Sequence, residues 1–353
     1  MLEGRSYVPI LHQRPAEVRA YRELDSSTKN QILPFFVLRP WMNSRTIEKA
    51  IEVLSEAVGN RAFALDLDAG KFDPTSERPA YREFSELFEE GEGFRRYFDF
   101  VSDIENALPV IRSRHGEFMH IDEQIEWLHD LARPTFVRVD VDRPANYLDL
   151  AARIVDFGSQ NACFIFDCGW SRSIQEKSAR CTGLVNSLLG IDSEFNVVVA
   201  GSSFPEQFAN LGERFDFPIN ERVLFAEVRR AVNRGHLFYG DWGSTRPPSP
   251  PVPMRFVPRL DFAESALWRC WRSEDGEDYV DVAKRITEDE AWDGNIGNWA
   301  EYMIEATAAG EEARIRAPAM ASAVRINSHL HRQANLENPD GFRVNDEPVG
   351  DDI

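Results

Sequence analysis

Short runs of β-branched and aromatic residues alternate along this chain with longer stretches whose apolar residues recur at three- and four-residue spacing. The first pattern is that of buried strands and the second that of amphipathic helices. Eight candidate strands follow, at residues 7–12, 31–39, 62–68, 108–112, 135–142, 163–167, 196–200 and 237–241. Segments such as SRTIEKAIEVLSEAV, DEQIEWLHDLA and NYLDLAARIVDFGSQ lie between them. Such alternation predicts parallel strands joined by crossover helices, and eight units favour closure. The expected fold class is therefore α/β, a (β/α)8 TIM-barrel-like domain. The rival, an open doubly wound sheet, calls for a Gly-rich first turn, and none follows the first strand.

Two connections are long, 71–106 and 204–235, and each is expected to hold its crossover helix plus an added loop. After the eighth strand, STRPPSPPVP continues neither a helix nor a central strand and marks a boundary. MRFVPRLDF and ALWRCWRS then read as a hairpin over 254–273, with helices from Tyr279 onward. The expected organisation is a barrel core over 1–243, a C-terminal hairpin-plus-helix segment over 244–337 packed on it, and an acidic flexible tail over 338–353.

Composition narrows the function. The 353 residues carry 59 Asp and Glu against 40 Lys and Arg, a formal charge of −19, which disfavours general duplex-DNA binding. Cys163, Cys168, Cys181 and Cys270 form no CxxC pair and read as buried thiols. The opening MLEGRSYVPIL lacks a leader's apolar core, and no stretch reaches the roughly 18 apolar residues of a membrane span, so a cytoplasmic location without a membrane partner is expected. GxSxG, GxGxxG, P-loop and HExxH motifs are absent.

Strand alternation aims particular polar residues into the barrel. In FALDLD the residues Phe63, Leu65 and Leu67 face the helices, which leaves Asp66 and Asp68 inside. In FVRVDVD the valines face out and Arg138, Asp140 and Asp142 face in, and in CFIFDCG Asp167 points inward. The same argument adds His12, Arg112 and Asp241. A ring of both signs is either an internally satisfied salt-bridge network or a ligand pocket, and the residues leave both open. The pocket reading expects an anionic ligand facing Arg112 and Arg138, with Ser202 and Ser203 of GSSFP and the GDWGS loop at the rim. The aspartates are hard ligands suited to Mg²⁺, but no fixed-spacing motif accompanies them, so no metal and no cofactor is assigned. Strand-end carboxylates also allow general acid–base work.

The opening YVPILHQRPAEVRAYREL, with QILPFFVLRP, GSSFP, YGDWG, NWAEYMIEA and RINSHLH, resembles the beta protein family, named for a T-even phage protein and found in phages and bacteria, over roughly residues 7 to 333. The family opening runs PILK, a second basic residue, then Gly-Glu. Here His12 replaces the lysine, Arg14 keeps the basic position, Ala16 replaces the glycine and Glu17 is retained, which adds Glu17 to the pocket candidates. The resemblance implies a barrel-like fold with no established activity, in a family whose relatives sit among mobile-element and phage-defence genes. The implied role is in phage–host conflict, sensing a ligand or working with a nuclease-like partner protein encoded nearby. The alternatives are a barrel enzyme acting on a small phosphorylated or sugar-like substrate and a purely structural subunit.

Overall fold

The computed structural model describes residues 2–114, 116–158, 161–205, 208, 212–247, 257–274, 276–312, 314–338 and 342–344. Strands β1 (Tyr7–His12), β2 (Phe35–Leu38), β3 (Phe63–Leu67), β4 (Ala107–Pro109), β5 (Thr135–Asp140), β6 (Ala162–Trp170), β7 (Asn196–Ser202) and β8 (His236–Asp241) form one parallel sheet in the order β4-β3-β2-β1-β8-β7-β6-β5. A parallel bridge between Val110 and Phe136, with the Ile111 N–H donating to the Phe136 carbonyl at 2.8 Å, joins the two ends. The eight expected strands are thus present, nearly closed into a (β/α)8 barrel.

Burial follows the alternation. Val8, Ile10, Phe35, Ala64, Phe136 and Ile165 are among the residues packed inside the barrel, whereas Leu11, Phe36, Leu65, Val137, Phe166 and Val199 pack outward with the helices. The eighth helical position is filled by Pro318–Ala334, far down the chain: Arg222 of the Asn220–Val232 helix donates to Gln333 Oε1 at 2.6 Å, and Asn327 donates to the Ala20 carbonyl in the Pro15–Arg22 helix at 2.9 Å. Among the described residues no helix is long and apolar enough to cross a membrane.

The interior is tight where β8 meets β1 and β7. A Cβ on Gly240 would stand 2.8 Å from the Val8 carbonyl oxygen and 2.7 Å from Val198 Cγ1. Gly240→Ala is therefore expected to cost about 1–3 kcal/mol, the usual penalty for overpacking. Urea unfolding would measure it, and an unchanged midpoint would show that the barrel yields there.

Both long connections hold more than expected. The first carries two helices, Pro79–Glu86 and Gly91–Ser102, and the second a strand, Arg214–Pro218. That strand pairs antiparallel with β10 (Leu267–Arg272), so the appended hairpin formed by β9 (Arg259–Ala263) and β10 becomes a three-stranded sheet. RFDFP has the alternation of a strand, but its partner lies some fifty residues downstream. The proline-rich boundary from residue 248, the first residues of the expected hairpin segment, and most of the expected tail over 338–353 lie outside the described residues.

Candidate functional site

At the carboxyl ends of β2 to β6 the barrel opens into a cavity of about 1070 Å³. Its floor follows from alternation: with Ala64, Val110, Phe136 and Ile165 inside, the side chains two residues on are Asp66, Arg112, Arg138 and Asp167. These four form a lattice. Asp66 is paired by Arg112 through one oxygen and by Arg138 at 3.0 Å through the other, and Arg138 reaches Asp167 at 3.1 Å. The second Asp167 oxygen accepts from Trp242 Nε1 at 3.0 Å and from the Gly169 N–H at 2.9 Å. Arg138 lies over the Trp242 ring at 5.0 Å, and Arg112 faces Tyr97 at 5.0 Å and Phe88 at 5.6 Å.

Burial alone would raise the Asp66 carboxyl, but the Arg112 and Arg138 guanidiniums outweigh it and hold it below the usual carboxylate range. Burial likewise works against the Arg138 charge and is outweighed by Asp167 and Asp66. Asp66 is therefore charged at neutral pH, and both arginines expected to face an anion are paired with aspartates, Arg138 on two of them and Arg112 through one nitrogen, its Nε being buried without a hydrogen-bond partner among the described residues. Asp68 lines the cavity too, bonded by the Gly70 N–H at 3.0 Å and 3.8 Å from Arg39. Asp140 stands exposed at its edge and accepts from the Asp142 N–H at 2.8 Å.

The other five expected residues lie elsewhere. Asp241 does not face the interior: the inward residue at the end of β8 is Trp242, and Asp241 points out with Tyr239 beneath the C-terminal helix. There it is fully buried and accepts from the Tyr7 hydroxyl, the Tyr239 hydroxyl at 2.6 Å, the Gly243 N–H at 2.7 Å and His329 Nε2 at 2.8 Å. His329 Nδ1 accepts from Trp268 Nε1 at 3.2 Å, which assigns the ring proton to Nε2. Among the described residues no three His, Cys, Asp or Glu side chains converge as metal ligands.

A family model described as Beta protein matches residues 7–335. The chain belongs to the beta protein family. One relative, "Protein beta" of Enterobacteria phage P4, is 27% identical over 346 residues, which cover 95% of this chain and 94% of that protein.

Of the four positions compared in the beta-family opening, His12 and Glu17 are the pocket candidates. His12 is fully buried, packs against Trp242 at 5.2 Å between ring centroids and contacts the Arg246 carbonyl through Nε2 at 3.2 Å. Burial first, and Arg14 second, push it down to about 3, so the ring is neutral and serves as packing beside the lattice. Glu17 is buried on the first helix, 3.9 Å from Arg14, and burial pushes its carboxyl up against that arginine's pull. Neither lines the cavity. The Ser202 hydroxyl donates to the Thr245 carbonyl at 2.5 Å. Ser203 is committed to Glu221, its hydroxyl donating to one carboxyl oxygen and its N–H to the other at 3.3 Å. The protein's own carboxyl thus occupies the Ser203 donors that GSSFP would have offered a phosphate. Burial first, then Asp241, push Glu221 up to about 8.

The cavity also has walls that strand parity could not reveal. Phe72, Arg82 and Phe88 come from the long connection after β3, and Arg143 comes from the tight turn after β5. Only the three-dimensional return of those segments over the barrel mouth brings them to the site.

Proposed function

We propose that this beta-family barrel acts in phage–host conflict, sensing a ligand or engaging a partner protein through the cavity above its strands. The observation that carries the reading is the Arg112–Asp66–Arg138–Asp167 lattice beneath a cavity of about 1070 Å³. A carboxylate held charged between guanidiniums is a poor proton donor or acceptor at neutral pH, whereas a floor of ion-paired side chains beneath a pre-formed cavity suits shape-selective binding. The relationship to a phage protein across nearly the whole chain supports the biological setting.

One observation favours the enzyme alternative on a small phosphorylated or sugar-like substrate. Asp140 stands exposed at a strand end with no ion pair among the described residues, and it is the best-disposed general base.

Plaque counts on a bacterial strain with and without the gene test the proposal. Expression of the wild type is expected to change plaque formation, and Arg138→Ala to remove that change while circular dichroism stays native. Arg138→Lys keeps the charge without the two-sided fork and is expected to fall between. Plaque formation indifferent to the gene, or to Arg138→Ala, would defeat the reading. Turnover of sugar phosphates by the wild type, lost in Asp140→Asn, would favour the enzyme.

A further inference from the structure

The charges around the cavity are mostly committed to one another. Asp66 and Asp167 belong to the lattice, and Asp68 lies 3.8 Å from Arg39. Asp142 pairs with Lys177 at 2.5 Å, and Glu86 and Glu89 pair with Arg96 at 2.6 and 3.0 Å. Among the cations, Arg112 and Arg138 are held by the lattice and Arg114 by Glu90. Arg82 and Arg143 remain. Both are exposed, both line the cavity, and among the described residues neither side chain has an ion pair or hydrogen bond. Against them stand Asp140, which has no cation among the described residues, and one excess charge on Glu86 and Glu89, which share Arg96. Arg82 and Arg143 are thus the cations of the lining that no carboxylate holds, on a chain whose net charge is −19.

The same wall carries an aromatic surface. Phe72 is 47% exposed and meets Phe88 edge-on at 5.3 Å between centroids. An exposed phenylalanine lining the same cavity as an unpaired guanidinium supplies a flat apolar face and a planar fork that matches phosphate. At about 1070 Å³ the cavity lies just above the about 300–1,000 Å³ typical of small-molecule sites, roomier than a bare phosphate needs.

We propose that the cavity binds a nucleotide, with Arg82 and Arg143 on its phosphates and Phe72 and Phe88 against its base. This rests on the reading of the cavity as the binding site. It assigns the anion to rim arginines rather than to the floor arginines, whose forks face aspartates.

Calorimetric titration of the full chain with ADP, inorganic pyrophosphate, ribose 5-phosphate and a glutamate-rich peptide tests it. ADP is expected to bind, and the double variant Arg82→Gln/Arg143→Gln to weaken ADP and pyrophosphate by about tenfold or more. Phe72→Ala is expected to weaken ADP while leaving pyrophosphate unchanged. All three side chains are exposed, so these variants should keep the fold, which circular dichroism checks. Absence of ADP binding, or binding indifferent to the double variant, would overturn the proposal. Binding of the peptide but not ADP, dependent on the two arginines, would overturn it in favour of an acidic protein segment. Loss of the plaque phenotype in Arg138→Ala with no ADP binding would sink the nucleotide alone, whereas a silent Arg138→Ala would remove the cavity reading beneath it.

Discussion

Asp241→Ala is expected to lower the stability of the protein by about 3–5 kcal/mol, the range seen when one partner of a buried charged network is removed. The loss comes from what stays behind. The Tyr7 and Tyr239 hydroxyls, the Gly243 N–H and His329 Nε2 would all lose their acceptor at a site that is fully buried. The damage should spread, because this carboxylate ties β1 and β8 to the C-terminal helix, and through His329 and Trp268 to the appended sheet. Urea unfolding at neutral pH measures it, and a loss under about 1 kcal/mol would mean that the donors find other partners.

The same carboxylate gives an acid limit. Burial would raise its pKa, but His329 and the tyrosine hydroxyls outweigh burial and depress it below the ordinary value of 3.8. A depressed carboxyl stabilises the fold above the unfolded-chain value. That contribution is lost as pH falls from about 3.8 through the lower folded value.

Glu221→Gln should act at the opposite end of the pH range. The buried Glu221 carboxyl keeps its proton up to about 8 in the fold, against 4.5 as the ordinary value. Between these values the unfolded chain binds fewer protons than the folded one, so stability falls as pH rises through the window. The slope approaches about 1.4 kcal/mol per pH unit at most, and the whole window amounts to several kcal/mol at an order-of-magnitude level. Glutamine does not titrate, and its amide oxygen can still accept from the Ser203 hydroxyl. The variant is expected to match the wild type near about pH 5 and to be clearly more stable near about pH 8. Urea midpoints taken across that range provide the check. Parallel curves for the two proteins would mean that Glu221 ionises freely in the fold.

The eight strands could be read from the chain because parallel strands are buried on both faces and appear as apolar runs. Alternation then aimed Asp66, Arg112, Arg138 and Asp167 to one end of the barrel, since side chains on a strand repeat every two residues. It misled at β8, where LFYGDWG has aromatic residues on both faces and a glycine between them. Nothing local chooses between Asp241 and Trp242 as the inward residue.

The choice is made by His329, 88 residues away, whose helix covers the outer face of β8 and supplies the partner that a buried carboxylate requires. The pairing of the floor arginines with aspartates was likewise a tertiary outcome: β5 lies beside β6, which sets Arg138 against Asp167, and barrel closure brings Asp66 and Arg112 to it from the other end of the sheet. The unpaired rim arginines owe their positions to a helix and a turn outside any strand. Periodicity is a local property of the chain, so outside β8 it determined which strand residues point inward. Which charges meet, and which remain free for a ligand, depends on contacts between segments distant in sequence, and only the folded barrel decides them.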